Sequence, residues 1–298
     1  MEQTNMTTGE MFEKNCPTAE ELKKLTQDAI QGDAYAQCEL GWCYWNGYSV
    51  EENESLAFEW LSKAAAQGLA EAQYRLGLCY YYGTGIEKDE VRAVALFKQA
   101  AEQGNVEAYV KLSTCYEYGC GTEKDLSQAI AWLTRAAEQG DDKSQYELGL
   151  RYYEGKDVEQ DYAKAVYWYT RAAEQGHVYA QCNLGYCYSE GLGIEQDYGK
   201  AAEWYTAAAQ YNDHIALTNL GNLYEEGLGV EKDLPKAMSL YLRAYDMAIK
   251  FWDGDEDGYK PHKLAEEGIE RLHAAGVKGL MCSDTHFCRF QCCNMSTR

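Results

Sequence analysis

Apolar residues recur along this chain at a helical spacing. Ala36, Leu40 and Tyr44 stand at i, i+4 and i+8, one stripe of a helix that reads from Ala34 to Asn46. Gly47 closes it, because glycine tolerates the left-handed conformation of a helix C-cap. A second stripe, Ala57, Trp60 and Ala64, predicts another helix that ends at Gly68. Its start is Asn53, whose side chain is suited to accept the free N–H groups of a first turn. The pair then repeats every 36 residues from Asp33 to Ala248. Leu40, Leu76, Leu112, Leu148, Leu184 and Leu220 are equivalent, as are Tyr44, Tyr80, Tyr116, Tyr152, Tyr188 and Tyr224. Two alanine sets, one from Ala57 to Ala237 and one from Ala64 to Ala244, keep the same step, and so many coincidences exclude chance. Gly41, Gly77, Gly149, Gly185 and Gly221 sit beside the leucine, with Ser113 the exception. Second-helix starts recur at Asp89, Asp125, Asp161, Asp197 and Asp233, and Pro235 sits just inside the last of them, where its missing N–H costs little. A period of this length marks stacked helical units, each in contact only with its neighbours.

The flanks divide by the same reading. Residues 1–17 are expected to be a disordered N-terminus and 18–32 a capping helix, opened by the Thr18/Glu21 capping-box pattern. Residues 33–248 hold the six repeats. Residues 249–280 form an acidic loop and a C-terminal capping helix, about Lys263 to Ala275, and 281–298 a Cys-rich tail without periodicity. In the last repeat Asn212 and Ala248 stand where glycine stands earlier, and the final repeat helix is expected to run on through Phe251 and Trp252.

The repeat is clearest from Gln145 to Gly176, QYELGLRYYEGKDVEQDYAKAVYWYTRAAEQG. It resembles the Sel1-like repeat family, a relative of the tetratricopeptide repeat. The resemblance implies an all-α, right-handed α-solenoid of six 36-residue helix-turn-helix repeats with helical caps. It also implies a scaffold for protein–protein interaction without catalysis.

Each first helix carries a stripe separate from the Leu/Tyr one. In the first repeat it is Tyr35, Cys38, Trp42, Trp45 and Asn46, spaced to share one face. The resemblance to tetratricopeptide proteins implies that these positions line a concave surface. Equivalents include Glu71, Tyr74, Leu78, Tyr81 and Tyr82, then Glu117 and Tyr118, then Tyr146, Tyr153 and Glu154. Tyr179, Cys182, Tyr186 and Glu190 follow in the fifth repeat and Thr218 in the sixth. The set varies between repeats while the core set does not, as a binding face should. Aromatics are enriched at binding hot spots. The carboxylates favour a protein or peptide partner of basic character. The competing reading is that several of these tyrosines pack against the next repeat, as amphipathic side chains often do.

Composition narrows the partners. The net charge is −21, which repels nucleic acid and anionic lipid, so neither is expected as a partner. A negative field would steer basic partners. No run of about 18 apolar residues occurs, so no membrane insertion is expected. The polar, acidic N-terminus lacks the features of a secretory signal, so a cytoplasmic home with reduced thiols is expected for the 12 cysteines; delivery by a leaderless secretion route stays open. Cys43, Cys79, Cys115 and Cys187 share a repeat position, and helical layers about 10 Å apart would hold them too far from one another to bridge.

Three chemical candidates remain. Asp253, Asp255, Asp257 and Gly258 reproduce the opening of an EF-hand loop, but the twelfth position is Leu264 and Pro261 lies inside. A solvated acidic linker is the favoured reading, a weak calcium site and hence a calcium- or metal-responsive regulator the alternative. Cys282, Cys288, Cys292, Cys293 and His286 offer soft ligands but no CxxC pair. Some Sel1-like proteins have been called β-lactamases, which makes a hydrolase the other alternative; S-x-x-K, H-E-x-x-H and G-x-S-x-G are all absent. The G-x-G pairs fall between helices and read as turns, not phosphate cradles. No cofactor is expected.

Overall fold

The structure, a computed structural model, describes residues 16–250 and 262–277. They are helical throughout, with no strand among them. The acidic loop with Asp253, Asp255 and Asp257, the Cys-rich tail and the extension through Phe251 and Trp252 lie outside the described residues. The chain divides into two compact units, Met1–Gln139 and Gly140–Arg298.

The first unit holds α1 (Ala19–Ile30), α2 (Ala34–Asn46), α3 (Glu54–Ala66), α4 (Ala70–Tyr82), α5 (Glu90–Glu102), α6 (Val106–Tyr118) and α7 (Leu126–Glu138). The second holds α8 (Asp142–Glu154), α9 (Tyr162–Glu174), α10 (Val178–Glu190), α11 (Tyr198–Gln210), α12 (His214–Glu226), α13 (Leu234–Lys250) and α14 (Lys263–Ala274). Within each repeat the first and second helices pack side by side, and each second helix of a unit packs on the first helix that follows it there. Helices of 13 residues are too short to persist alone, so this packing supplies their stability.

The ends of the helices follow from residue chemistry. At α1 the Thr18 hydroxyl accepts the Glu21 N–H at 3.3 Å, and the Glu21 carboxylate accepts the Thr18 N–H at 2.8 Å. The carboxamide of Asn53 and the carboxylates of Asp89, Asp125, Asp161, Asp197 and Asp233 cap the second helices. The backbone N–H of each such cap donates to the carbonyl of the repeat's invariant tyrosine, as Asp89 does to Tyr80 at 2.8 Å. That bond ties the two helices of a repeat across their turn. Gly47 ends α2 at φ 69°, and Asn212 takes a glycine's place at φ 63°.

The core is built around a glycine and a large side chain. Phe97, Tyr169, Tyr205 and Tyr241 on the second helices are fully buried and press on Gly77, Gly149, Gly185 and Gly221. A Cβ at Gly77 would lie 2.6 Å from the Phe97 ring, closer than real contacts allow. Leu61 plays the part at Gly41, and in repeat register Leu133 faces Ser113, the one repeat without that glycine. The deepest position is therefore one residue after the Trp60 position of the sequence-predicted stripe. Trp60 itself is half-buried, with the Lys63 ammonium 4.2 Å above its ring. In α14, Gly268 lies against the opposite edge of the Tyr241 ring, so this helix closes the core of the second unit.

A glutamine ladder reinforces the stack. Gln67, Gln103 and Gln175, each just beyond a second helix, donate to Gln37, Gln73 and Gln145 of the first helix of the same repeat at 2.7–2.9 Å. Gln37 and Gln181 in turn donate to Ala29 and Ala173 at the end of the preceding helix, satisfying carbonyls that helices leave open.

One helix start is titratable. His177 caps α10, its Nδ1 accepting the Ala180 N–H at 3.2 Å, and its ring stacks on Tyr146 at 4.6 Å. An accepting Nδ1 requires the neutral ring. Burial holds the His177 pKa below the ordinary histidine value, against an opposing pull from Asp142 and with Lys143 and Asp141 also facing it. The unfolded chain therefore takes up the proton first as pH falls below about 6.5, so the cap's contribution is present above that pH and lost as pH falls through the folded value. His177→Asn, which copies the Asn105 cap of α6, is expected to melt above the parent near pH 5 and to match it within about 1 kcal/mol near pH 7.5. Thermal melts at the two pH values check this; an equal shift at both would remove the assignment.

Candidate functional site

The first-helix stripe divides into outer and inner positions. Tyr35, Tyr82, Tyr118, Tyr179 and Tyr186 are exposed, at 58, 57, 69, 61 and 41%. Glu154 and Glu190 are exposed as well, at the last residues of α8 and α10. Trp42, Trp45, Tyr74, Tyr81, Tyr146, Tyr153 and Glu117 are half-buried.

Cys38, Leu78, Cys182 and Thr218 do not belong to this face. They are buried, three of them in hydrophobic cores with the second helices. A single-helix projection places them outward, but the neighbouring repeat covers them. Trp45 leans on two of these cores and Tyr74 lies against Phe97 at 5.8 Å, so both serve packing as well as surface. For Trp45 and Tyr74, packing is thus part of their role.

Burial also sets the chemistry of the cysteines. The thiols of Cys43 and Cys115 are pushed up to about 11, and those of Cys38, Cys79 and Cys187 to about 12, in each case chiefly by desolvation. All are free and behave as small core hydrophobes. Among the described residues, no group of three or more His, Cys, Asp or Glu side chains is placed to hold a metal ion. No helix among them is long and apolar enough to cross a membrane.

The face is more charged and better paired than its aromatic stripe suggests. Arg75 of α4, with a side chain only 4% exposed, donates to Glu39 at 3.0 Å and to Glu71 at 2.6 Å. Its guanidinium lies 4.6 Å from the centre of the Trp42 ring. Glu71 also accepts from Asn105 at 3.1 Å, so this carboxylate is committed within the chain. One repeat on, Lys111 of α6 donates to the Tyr82 hydroxyl at 3.1 Å and stands 5.7 and 5.5 Å from the Tyr81 and Tyr82 rings. Sequence reasoning missed this row. Its signal was the residue before the invariant leucine, which reads Glu39, Arg75, Lys111, Glu147, Asn183 and Asn219.

In the second unit the face holds tyrosines. Tyr146 and Tyr179 lie 6.1 Å apart on α8 and α10, and His177 stacks on the first and meets the second edge-on at 6.0 Å. Tyr153 rests on Tyr169 at 6.5 Å, and burial, reinforced by the neighbouring Tyr186, raises its pKa to about 12. Glu225 is drawn down by Arg271 and Tyr241, both hydrogen-bonded to it, and burial does not overcome them.

Comparison with known proteins agrees with this architecture. The Sel1 repeat profile matches residues 34–69, 70–105, 106–141, 142–177, 178–212 and 214–248. A search of curated proteins found no match. The crystal structure of c5321, a protective antigen present in uropathogenic Escherichia coli strains and displaying an SLR fold, aligns with TM-score 0.69 and 35% identity, over 86% of this chain and 56% of that one. The present chain thus spans little more than half the length of that protein. A Sel1 repeat protein from Oxalobacter formigenes aligns with TM-score 0.61 and 36% identity, over 80% of this chain and 95% of that one. Proteins built on this repeat are generally protein-interaction scaffolds. With six matched repeats that cover most of its length, the chain belongs to the Sel1 repeat family.

Proposed function

We propose that this protein is a non-catalytic adaptor that presents the outer face of its first helices to a partner protein or peptide. The observation that carries this reading is the contrast between two sets of positions. The core repeats Leu, Ala and Gly from unit to unit. The exposed Tyr35, Tyr82, Tyr118, Tyr179 and Tyr186 stand on a face whose residues change from repeat to repeat. Rigid aromatics offer large contact area at low entropic cost, and stacked repeats limit the ordering needed on binding. A partner of basic character fits the net charge of −21. A cytoplasmic home belongs to the same reading and is supported by the six buried free thiols among the described residues, which need no oxidising compartment.

The test is affinity capture from cells that express the chain, at low and moderate salt. The comparison bait carries Tyr35→Ala, Tyr82→Ala, Tyr179→Ala and Tyr186→Ala. These side chains are exposed, so the variant should keep the parent's fold, whereas truncating Trp45 or Tyr74 would disturb the core. An aromatic anchor at an interface is worth about 2 kcal/mol, so a stoichiometric partner is expected to disappear from the variant bait. A partner retained in full by the variant would overturn the assignment of the face.

A further inference from the structure

The first unit shows what this face does with a cation. Arg75, from the first helix of one repeat, seats its guanidinium on Trp42 of the repeat before. Lys111 repeats the arrangement one step on, over Tyr81 and Tyr82. The cation comes from one repeat position in both cases, the residue just before the invariant leucine, while the rings come from two: that of Trp42, which Tyr186 also occupies, and that of Tyr81, which Tyr153 also occupies. In the second unit the rings are kept and the cations are gone. Asn183 stands at the cation's position opposite Tyr153, and Asn219 stands there opposite Tyr186. Among the described residues, no Lys or Arg lies over Tyr153 or Tyr186, and none pairs with Glu154 or Glu190.

The carboxylates reinforce the same preference. Glu190 is one helical turn from Tyr186 on the same side of α10, and Glu154 of α8 holds the repeat position of Tyr82, which Lys111 reaches in the first unit. Both are the last residues of their helices, where the macrodipole already favours positive charge. The exposed Tyr186 ring and the half-buried Tyr153 ring, beside unpaired carboxylates at helix C-termini, form a cation-accepting surface, and arginine suits it best because its planar guanidinium can stack and pair at once.

We propose that Tyr153, Tyr186, Glu154 and Glu190 form the subsite that receives an arginine side chain of the partner protein, in the place that Arg75 and Lys111 fill internally in the first unit. This rests on the first-helix face being the binding surface and adds which repeats engage the partner's charge.

The probe is a fluorescein-labelled peptide of alternating glycine and arginine, with a citrulline version as the neutral isostere. Binding is measured by anisotropy near physiological ionic strength, with circular dichroism to check that each variant is folded. Tyr153→Leu with Tyr186→Leu is expected to weaken the arginine peptide about tenfold, the scale of one or two cation–π contacts. Asn219→Arg is expected to weaken it comparably, by seating the chain's own guanidinium on Tyr186, while Asn219→Gln leaves affinity unchanged. Trp42→Leu with Tyr82→Leu is the first-unit comparison, where Arg75 and Lys111 already occupy the rings, and should weaken the arginine peptide less than the second-unit pair does. If the first-unit pair weakens binding and the second-unit variants do not, the face remains a binding surface and the subsite is wrong. If the citrulline peptide binds as well as the arginine one, or the arginine peptide does not bind, the arginine assignment fails. In either case the capture experiment still decides separately whether the face binds a partner.

Discussion

Phe97→Ala is expected to remove about 3–5 kcal/mol of stability, the range for truncating a fully buried phenylalanine. Phe97 is 0% exposed and fills the centre of the second repeat. It touches the backbone of Gly77 on one side, and Tyr74 and Tyr81 approach its ring at 5.8 and 6.3 Å. The cavity left by truncation would collapse poorly, because the glycine wall has no side chain to move into it. Stability in a stacked array is a sum of unit and interface contributions, so the loss falls on repeat 2 and its two neighbours. The third repeat supplies the control. It pairs Ser113 with Leu133, a larger residue on one helix and a smaller one on the other. Gly77→Ser with Phe97→Leu copies that pair and is expected to lose clearly less than Phe97→Ala. Urea unfolding followed by circular dichroism measures both. A loss below about 1 kcal/mol for Phe97→Ala would mean that the glycine–aromatic contact does not hold the repeat together.

Arg75→Met is the second large effect, also about 3–5 kcal/mol at neutral pH, because it strands a buried charge. Glu39 is enclosed between α2 and α4, and burial raises its pKa, with Arg75 the main opposing influence. Without Arg75 the folded-state value rises further above the unfolded value of about 4.3. A group raised on folding contributes stability that is fully present below its unfolded pKa and lost as pH rises through its folded pKa. The defect in Arg75→Met should therefore shrink as pH falls from about 7.5 toward 5. Adding Glu39→Gln removes the stranded charge and should restore most of the loss at neutral pH. Melting temperatures of the single and double variants at the two pH values provide the test. A defect that is the same at both, and unrelieved by Glu39→Gln, would show that packing of the arginine stem is the whole effect.

What was legible in the sequence was whatever repeats. The first helix read from Ala34 to Asn46 occupies those residues in the structure, and its second-helix starts are capped by the residues that cap-forming chemistry selects. The positive-φ turns fell at the glycines between the helices for the same reason. The binding face was legible only in outline. Its exposed tyrosines could be picked by helical spacing, but spacing along one helix does not reveal what a neighbouring helix covers. Cys38 and Leu78 were placed outward for that reason and are buried. The Glu39–Arg75 pair was invisible for a related reason. Its members lie 36 residues apart, each unremarkable on its own helix, and they meet only because equivalent positions of successive repeats stack.

In four of the six turns a second glycine carries a consequence for how such a chain can change; Ser49 and Asp157 hold that position in the other two. Gly85, Gly121, Gly193 and Gly229 lie against the backbone at the start of the preceding repeat's second helix, where a Cβ would come within 2.1–2.3 Å. The same small surface thus joins one repeat to the next at every such junction. A gene segment that encodes one whole period can be duplicated or lost, and the new junction brings together two surfaces that already fit. At these four turns any other length would press a side chain into the neighbouring backbone. Array length is therefore free to vary in whole repeats, and the lineage can lengthen its binding face or reorder its charged and aromatic positions without redesigning the joint.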